Sequence, residues 1–348
     1  MEEHGLTDPN ALAPAQQPDP VAASMAAAAA RRRIILRILD NLVWVILVVV
    51  LAVFSITING FMTTENFINI VYHSVFLGVV AIGTTYVLIT GNLDLSIGSV
   101  AGFTAVLSAW LAGSSVFASG LHIDPFVVLV IALAVGAAAG FVNGFLVTKL
   151  RINAFLVTFA TLTVVAGLAL MLTQGAGVSG LPDSFRLIDT IRPLGIPLMT
   201  YLLVGLYVLF EFILRRTQFG AHLYIIGGTR TAANNFGIRV DAAVLRGFMF
   251  SGALAGLTGW LLAARLDGAT PTVAVNLLFN AIAAAVIGGV SLEGGAGSLT
   301  GVLAGVLLLG SITTALDIVA VDPFTVQVIQ GLLVLGAIIL DSVKRRYR

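Results

Sequence analysis

From residue 42 to residue 340 the chain is a succession of long apolar stretches, parted by breaks of only a few residues. A helix crosses a bilayer with about 20 mostly apolar residues, and in hydrocarbon its backbone groups must be satisfied within the chain. Ten segments meet that length: 42–58, 67–89, 94–113, 125–147, 155–173, 195–214, 243–265, 274–290, 298–319 and 323–340. The eighth is diluted by Asn276 and Asn280 and ended early by Gly288 and Gly289. With 58% hydrophobic and 10% charged residues and a mean hydropathy of +1.04, an ordinary globular surface is excluded. The expected fold class is an all-α membrane protein of about ten transmembrane helices.

Positive charge orients those helices. If the chain starts in the cytosol, the inner groups are Arg31, Arg32, Arg33, Arg37, Lys149, Arg151, Arg215, Arg216, Arg230, Arg239, Arg246, Lys344, Arg345, Arg346 and Arg348. Only Arg186, Arg192 and Arg265 fall outside, which accounts for all 18 basic residues. Both termini are therefore expected in the cytosol. Residues 1–36, rich in proline and alanine with little to bury, read as a disordered cytosolic tail. The arginines sit too far into the chain for a secretory signal. Residues 37–343 read as the transmembrane domain, and residues 215–242 as a cytosolic loop within it.

Between the second and third segments lies T-G-N-L-D-L-S-I-G-S, Thr90 to Ser99, which carries Asn92, Asp94 and Ser96 to the edge of the hydrocarbon or into it. A charge at the membrane centre costs about 2.5–3.5 kcal/mol on insertion scales, so such an acid invites a functional reading. The other reading is an N-cap of the third helix, with Asp94 accepting from the amide of Ser96 or Ile97. Glu211 and Asp317 are the remaining intramembrane acids, both near helix ends. A proton- or sodium-driven carrier usually holds more charged groups than this. The energy for any transport is expected from outside the chain.

Other chemistries are not evident. The two lysines, Lys149 and Lys344, do not follow glycine, so no phosphate-binding G-x-x-x-x-G-K-[ST] loop exists. His4, His73, His122 and His222 are scattered without metal-ligand spacing, and cysteine is absent. A net charge of +1 argues against a nucleic-acid partner. G-A-G-V-S-G from Gly175 matches a dinucleotide pattern formally, but it follows a membrane helix rather than a strand. No catalytic residue, metal site or cofactor is expected.

In the longest inner connection, Arg215 to Asp241, the stretch Thr231 to Phe236 reads as a short helix capped by Thr229 or Thr231 and stopped by Gly237. It is either a docking element for a cytosolic partner or a plain surface turn. Glycines four apart allow tight crossings: Gly136, Gly140 and Gly144 in helix four, Gly252 and Gly256 in helix seven, Gly301 and Gly305 in helix nine. Helices four and nine each lead through a polar break to a phenylalanine, Phe155 or Phe324. If this likeness marks a repeat of five helices, the halves are inverted, because five is odd.

Four ordered blocks then carry a resemblance. T-G-N-L-D-L-S-I-G-S, the segment N-G-F-L-V-T-K-L-R-I-N-A-F-L-V-T-F-A-T-L from Asn143, R-R-T-Q-F-G-A-H-L-Y-I-I-G-G from Arg215 through F-G-I at Phe236, and I-G-G-V-S-L-E-G-G-A-G-S from Ile287 together resemble the ribose-type ABC transporter permeases, the second carbohydrate-uptake class. Asn92 stands where that family usually has glycine, and Glu293 and Ala296 where an aromatic residue and an arginine are frequent. The resemblance implies a multi-pass permease of the bacterial inner membrane, not itself an enzyme. Its partners would be an ABC ATPase subunit, an extracytoplasmic solute-binding protein, a second permease copy and membrane lipid. Thr231, Ala232, Ala233, Asn234, Asn235, Phe236 and Gly237 become the coupling helix seated on the ATPase. The implied solute is a monosaccharide or a related polar molecule, with amino acids, urea or nucleosides as alternatives and a self-sufficient carrier or channel as a rival class. A pathway that must release its solute suits sparse neutral donors. The candidates are Asn92, Ser96, Asn143, Thr158, Thr161, Asn280, Gln327 and Gln330, with Asp94 beside them; for each the other reading is a bond between helices.

Overall fold

The computed structural model describes residues 42–346; the expected tail and Arg31, Arg32, Arg33 and Arg37 lie outside the described residues. The chain runs α1 (Leu42–Thr57), α2 (Thr64–Ile89), α3 (Ile97–Ala112), α4 (Pro125–Thr148), α5 (Ala154–Thr173), β1 (Val178–Ser179), α6 (Asp183–Thr190), α7 (Leu198–Arg216), α8 (Gln218–Gly228), α9 (Arg230–Asn235), α10 (Val240–Leu266), β2 (Gly268–Ala269), α11 (Leu277–Ile287), α12 (Leu299–Ile318) and α13 (Pro323–Arg346). It is an all-α membrane protein. Each of the ten expected segments coincides with a helix. Six of these, α2, α4, α5, α7, α10 and α12, are long and apolar enough to span a bilayer, and the other four provide shorter apolar helical stretches, Leu42–Thr57, Ile97–Ala112, Leu277–Ile287 and Phe324–Gly336. Two further helices, α6 and α8, occupy connections read from sequence as plain loops.

Helices α2 and α10 are apolar all round and mostly buried, as a helix at the centre of a bundle must be. Helix α10 packs on α4, α3 and α2. Its crossing with α4 is backbone against backbone: a Cβ on Gly136 would fall 2.1 Å from the Gly252 carbonyl oxygen, and one on Gly256 2.1 Å from that of Ala132. The expected glycine spacings in helices four and seven are thus the two sides of one contact. Without a hydrophobic drive in lipid, such close approach gives the dispersion that holds helices together. Helix α1 closes over α12 through Val43 and Leu47 against Ala304 and Leu308.

The helix packing comes in matched pairs. Helix α4 lies on α10 and α12 on α2; α3 lies on α5 and α11 on α13; α3 lies on α10 and α11 on α2. The starts of α5 and α13 match as well. Asn153 Oδ1 accepts from the amide of Phe155 at 2.8 Å, and Asp322 Oδ1 from that of Thr325 at 2.9 Å. The Thr325 hydroxyl and amide hold the Asp322 carboxyl below the usual carboxylate range.

Connections gather at two ends. At one, β1 and β2 pair antiparallel, Arg186 meets Asp267 at 3.9 Å, and Ser114 N–H donates to Gly180 O at 3.1 Å. At the other, Arg151 meets Asp241 at 3.3 Å and the Gly295 amide donates to Ile89 O at 2.9 Å. Each of these contacts joins groups that the charge reading assigns to the same side. Glu211 of α7 accepts from the amide of Leu299, the first residue of α12, at 3.0 Å and pairs with Arg215, so this acid anchors a helix start.

Candidate functional site

The break between α2 and α3 is built from local bonds. Helix α2 closes in a Schellman motif: the Gly91 amide donates to Leu88 O at 2.8 Å and the Asn92 amide to Val87 O at 3.3 Å, with Gly91 at φ 72°. Asp94 then accepts from the amide of Ser96 at 3.0 Å, an Asx turn that aims the chain into α3. The cap position of α3 is Ser96, whose own side chain makes no capping bond. Asp94 therefore takes the expected Ser96 amide from two residues before the cap. Helix α3 has 16 residues, about 24 Å at 1.5 Å per residue, against about 30 Å of hydrocarbon.

From this break a chain of side-chain hydrogen bonds crosses the bundle. Thr161 Oγ1 on α5 donates to Asn143 Oδ1 on α4 at 2.6 Å, and Asn143 Nδ2 donates to Ser96 Oγ at 2.8 Å. Ser96 Oγ donates to Asp94 Oδ1 at 2.6 Å, and from the far side Ser251 Oγ on α10 donates to Asp94 Oδ2 at 2.9 Å. All donors run toward the carboxylate, the arrangement in which each bond polarises the next. Asp94, Ser96, Asn143 and Ser251 are buried. The Ser96 amide, the Ser96 hydroxyl and the Ser251 hydroxyl give Asp94 three hydrogen bonds that offset part of the cost of burying it. Thr158 Oγ1 donates to Ala154 O of its own helix at 2.8 Å, with Leu93 O a longer alternative acceptor at 3.3 Å.

Thr161 sits where this chain meets the surface. It is the polar member of an apolar groove of about 530 Å³ between α4 and α5, lined also by Val142, Leu146, Ile152, Leu156 and Val164. At its other end the break reaches the loop between α8 and α10: Arg230, the first residue of α9, donates to Asn92 Oδ1 at 3.3 Å. A Cβ on Gly227 of α8 would lie 1.8 Å from Ile89 O, so only glycine lets α8 seat against the end of α2.

Of the expected pathway residues, Asn92, Asp94, Ser96, Asn143, Thr158 and Thr161 are brought together here. Asn280 and Gln330 form a separate cluster, where Asn280 Nδ2 donates to Gln330 Oε1 at 3.4 Å and Gln330 Nε2 to Thr313 Oγ1 at 3.3 Å. This second cluster ties α11, α12 and α13 as the first ties α3, α4 and α5. Gln327 is exposed on α13, and among the described residues no hydrogen bond joins it to either cluster. Ser251, Thr313 and Arg230 were not expected from sequence. Ser251 stands in F-S-G within a small-residue stretch, a context indistinguishable from helix packing.

The short helix expected at Thr231–Phe236 is α9, spanning Arg230–Asn235, with Thr229 at its cap position but no side-chain capping bond. Ala233 is buried and anchors it, while Phe236 at its C-cap is 77% exposed. Gly237 follows at φ 71° and turns the chain toward α10. Thr231, Asn234 and Asn235 are exposed and Ala232 is half-buried.

A family described as the branched-chain amino acid transport system / permease component matches residues 66–338. The chain belongs to this permease family. Among its relatives is the ribose import permease protein of Bacillus subtilis (strain 168), 34% identical over 300 residues, covering 86% of this chain and 91% of that protein. The ribose import permease protein of Escherichia coli (strain K12) is 31% identical over 303 residues, covering 86% and 92%. The L-arabinose transport system permease protein of the same strain is 32% identical over 277 residues, covering 77% and 80%. No solved structure matches significantly. In this permease the asparagine at position 92 is what gives Arg230 its acceptor, a contact that glycine would remove.

Proposed function

We propose that the chain is the membrane-spanning subunit of an ATP-driven importer, translocating a monosaccharide or related polar solute delivered by an extracytoplasmic binding protein. One observation carries this reading: the likeness to ribose and arabinose permeases runs over most of both chains. The chain crosses a bacterial inner membrane ten times and holds both termini in the cytosol. The distribution of basic residues and the same-side contacts support that threading. The matched packing pairs support two inverted halves of five helices, α1 to α5 and then α7 with α10 to α13.

An ABC ATPase subunit docks on α9 at Thr231, Ala232, Ala233, Asn234, Asn235, Phe236 and Gly237. The exposed Phe236 on a helix rooted by buried Ala233 supports this role. The solute passes beside Asn92, Asp94, Ser96, Asn143, Thr158, Thr161, Asn280, Gln327 and Gln330, most of them neutral groups that bind weakly enough to release. A second permease copy faces the exposed side of α4 and α5, with lipid around the rest.

Vesicles holding the permease with its ATPase and binding protein take up radiolabelled ribose or arabinose only when ATP is supplied. Uptake by the purified chain alone, without nucleotide or partners, would overturn the reading in favour of a self-sufficient carrier. The family description favours one second reading, import of an amino acid. A panel of amino acids, urea and nucleosides in the same vesicles decides between the two.

A further inference from the structure

The two polar clusters end differently. In the first, every donor runs inward to the Asp94 carboxylate, and Asp94, Ser96 and Asn143 are 4%, 1% and 0% exposed. Its members spend their hydrogen bonds on one another. In the second, Asn280 Nδ2 donates to Gln330 Oε1 and Gln330 Nε2 to Thr313 Oγ1, whose hydroxyl donates to Leu309 O of its own helix at 3.0 Å. This relay finishes on a backbone carbonyl, carries no charge, and leaves Asn280 Oδ1 unengaged among the described residues.

Two further carboxamides stand on the same helices. Asn276 lies one turn before Asn280, whose backbone N–H donates to Asn276 O at 3.3 Å, and Gln327 lies three residues before Gln330, so each pair shares a helix face. Helices α11 and α13 pack together and run the same way in the ten-crossing threading. At about 1.5 Å per residue, Asn276 stands about 6 Å and Gln327 about 4.5 Å beyond the Asn280–Gln330 bond, both toward the outer side. Both are exposed, and among the described residues neither side chain makes a hydrogen bond; Asn276 holds the cap position of α11 yet caps nothing. An amide turned to hydrocarbon forfeits its bonds to water, so polar groups on membrane helices face a partner or a water-filled pathway.

We propose that Asn276, Asn280 and Gln327 form the station at which this permease contacts its solute, three carboxamides that take an uncharged polyhydroxy molecule, while the Asp94 network braces its helices and touches none. A carboxamide presents donors and an acceptor together, and each hydroxyl of a polyol both donates and accepts, so the two classes pair without charge. Neutral bonds of this kind net about 0.5–1.5 kcal/mol each, weak enough for release. The station rests on the importer reading and narrows its pathway to the α11–α13 side.

The chain has no cysteine, so Asn276→Cys and Gln327→Cys each place a single thiol at the station. The full complex of permease, ATPase and binding protein in vesicles is treated with a small charged methanethiosulfonate reagent, with and without excess D-ribose or L-arabinose. Both thiols react, and one of the two sugars slows the reaction about threefold or more. Val116→Cys, at a position 95% exposed between α3 and α4, reacts equally with and without sugar. In the cysteine-free chain, Asn276→Leu and Gln327→Leu lower ATP-driven uptake at least fivefold and leave the melting temperature at the parental value, because neither removes an internal bond.

Reaction at an unchanged rate in both sugars overturns the inference, as does equal slowing at Val116. Thiols that react only after detergent separates the copies assign the amides to contacts between copies and overturn it too, and a lower melting temperature in both leucine variants marks them as structural. A parent complex that takes up neither sugar on ATP overturns the importer reading itself; uptake without protection overturns the station alone.

Discussion

Ser251 Oγ donates to Asp94 Oδ2 at 2.9 Å across 157 residues of sequence. The bond joins a mostly buried helix of the bundle to the polar break before α3, and it gives a buried carboxylate, among the described residues, its one hydrogen-bond partner from outside its own turn. Asp94 is therefore both a local turn former and a tertiary anchor, two roles that substitution can separate.

Asp94→Asn keeps one oxygen for the Ser96 amide and turns an NH2 toward Ser251, whose hydroxyl can accept. The variant is expected to fold, with a melting temperature within a few degrees of the parent. Asp94→Ala strands three donors, each costing about 1–3 kcal/mol when left buried and unpaired. Thermal unfolding of the detergent-purified chain should drop well below that of the Asn variant. Equal stability of the two variants would mean that the network contributes nothing to the fold.

Gly136→Ala places a Cβ 2.1 Å from the Gly252 carbonyl oxygen. Backbone atoms cannot rotate aside, so α4 and α10 must separate, at about 1–3 kcal/mol or more for overpacking. Gly167→Ala on α5 meets nothing within 4 Å and is the matched control. The expected result is a lower melting temperature and lower membrane yield for the first and parental values for the second.

Phe236→Asp puts a charge on the exposed apolar tip of α9. Insertion and yield should be unchanged, whereas solute-stimulated ATP hydrolysis by the assembled complex should fall at least tenfold. Retained stimulation would remove α9 from the docking role.

The threading has a direct test in the absence of native cysteine. Ser115→Cys, next to the β1–β2 end, should react with a membrane-impermeant maleimide applied outside intact cells. Asn235→Cys should react only after permeabilisation. Reversal of the two patterns contradicts the cytosolic start, and labelling of both from one side contradicts the three crossings placed between them.

Helix positions were legible because length and apolarity act locally. A run of about 20 apolar residues has one way to satisfy its backbone in lipid, and Gly288 with Gly289 ended α11 where the glycines said it would. Helices α6 and α8 were not legible. Gly220, Gly227 and Gly228 lower the helix propensity of α8, and the reason for Gly227 is the Ile89 carbonyl that it touches, which no local pattern announces. Helix α6 has only eight residues, held by Phe185 buried against Trp260.

The polar break from Thr90 to Ser99 could be read as the start of the third helix with Asp94 accepting an amide there, but the choice between Ser96 and Ile97 was open, and the cap position is Ser96 rather than Asp94. Its meaning depended on partners 47, 138 and 157 positions away. A hydroxyl in a membrane helix can bond its own preceding turn, as Thr148 does to Gly144 O and Ser311 to Leu307 O, or reach across to a neighbour, as Thr161 does to Asn143. Both satisfy the group at similar cost, so composition and spacing leave the choice open. Packing makes it, because α4 and α10 approach closely enough through their glycines to set Asn143 against Ser96 and Ser251 against Asp94 of the same break.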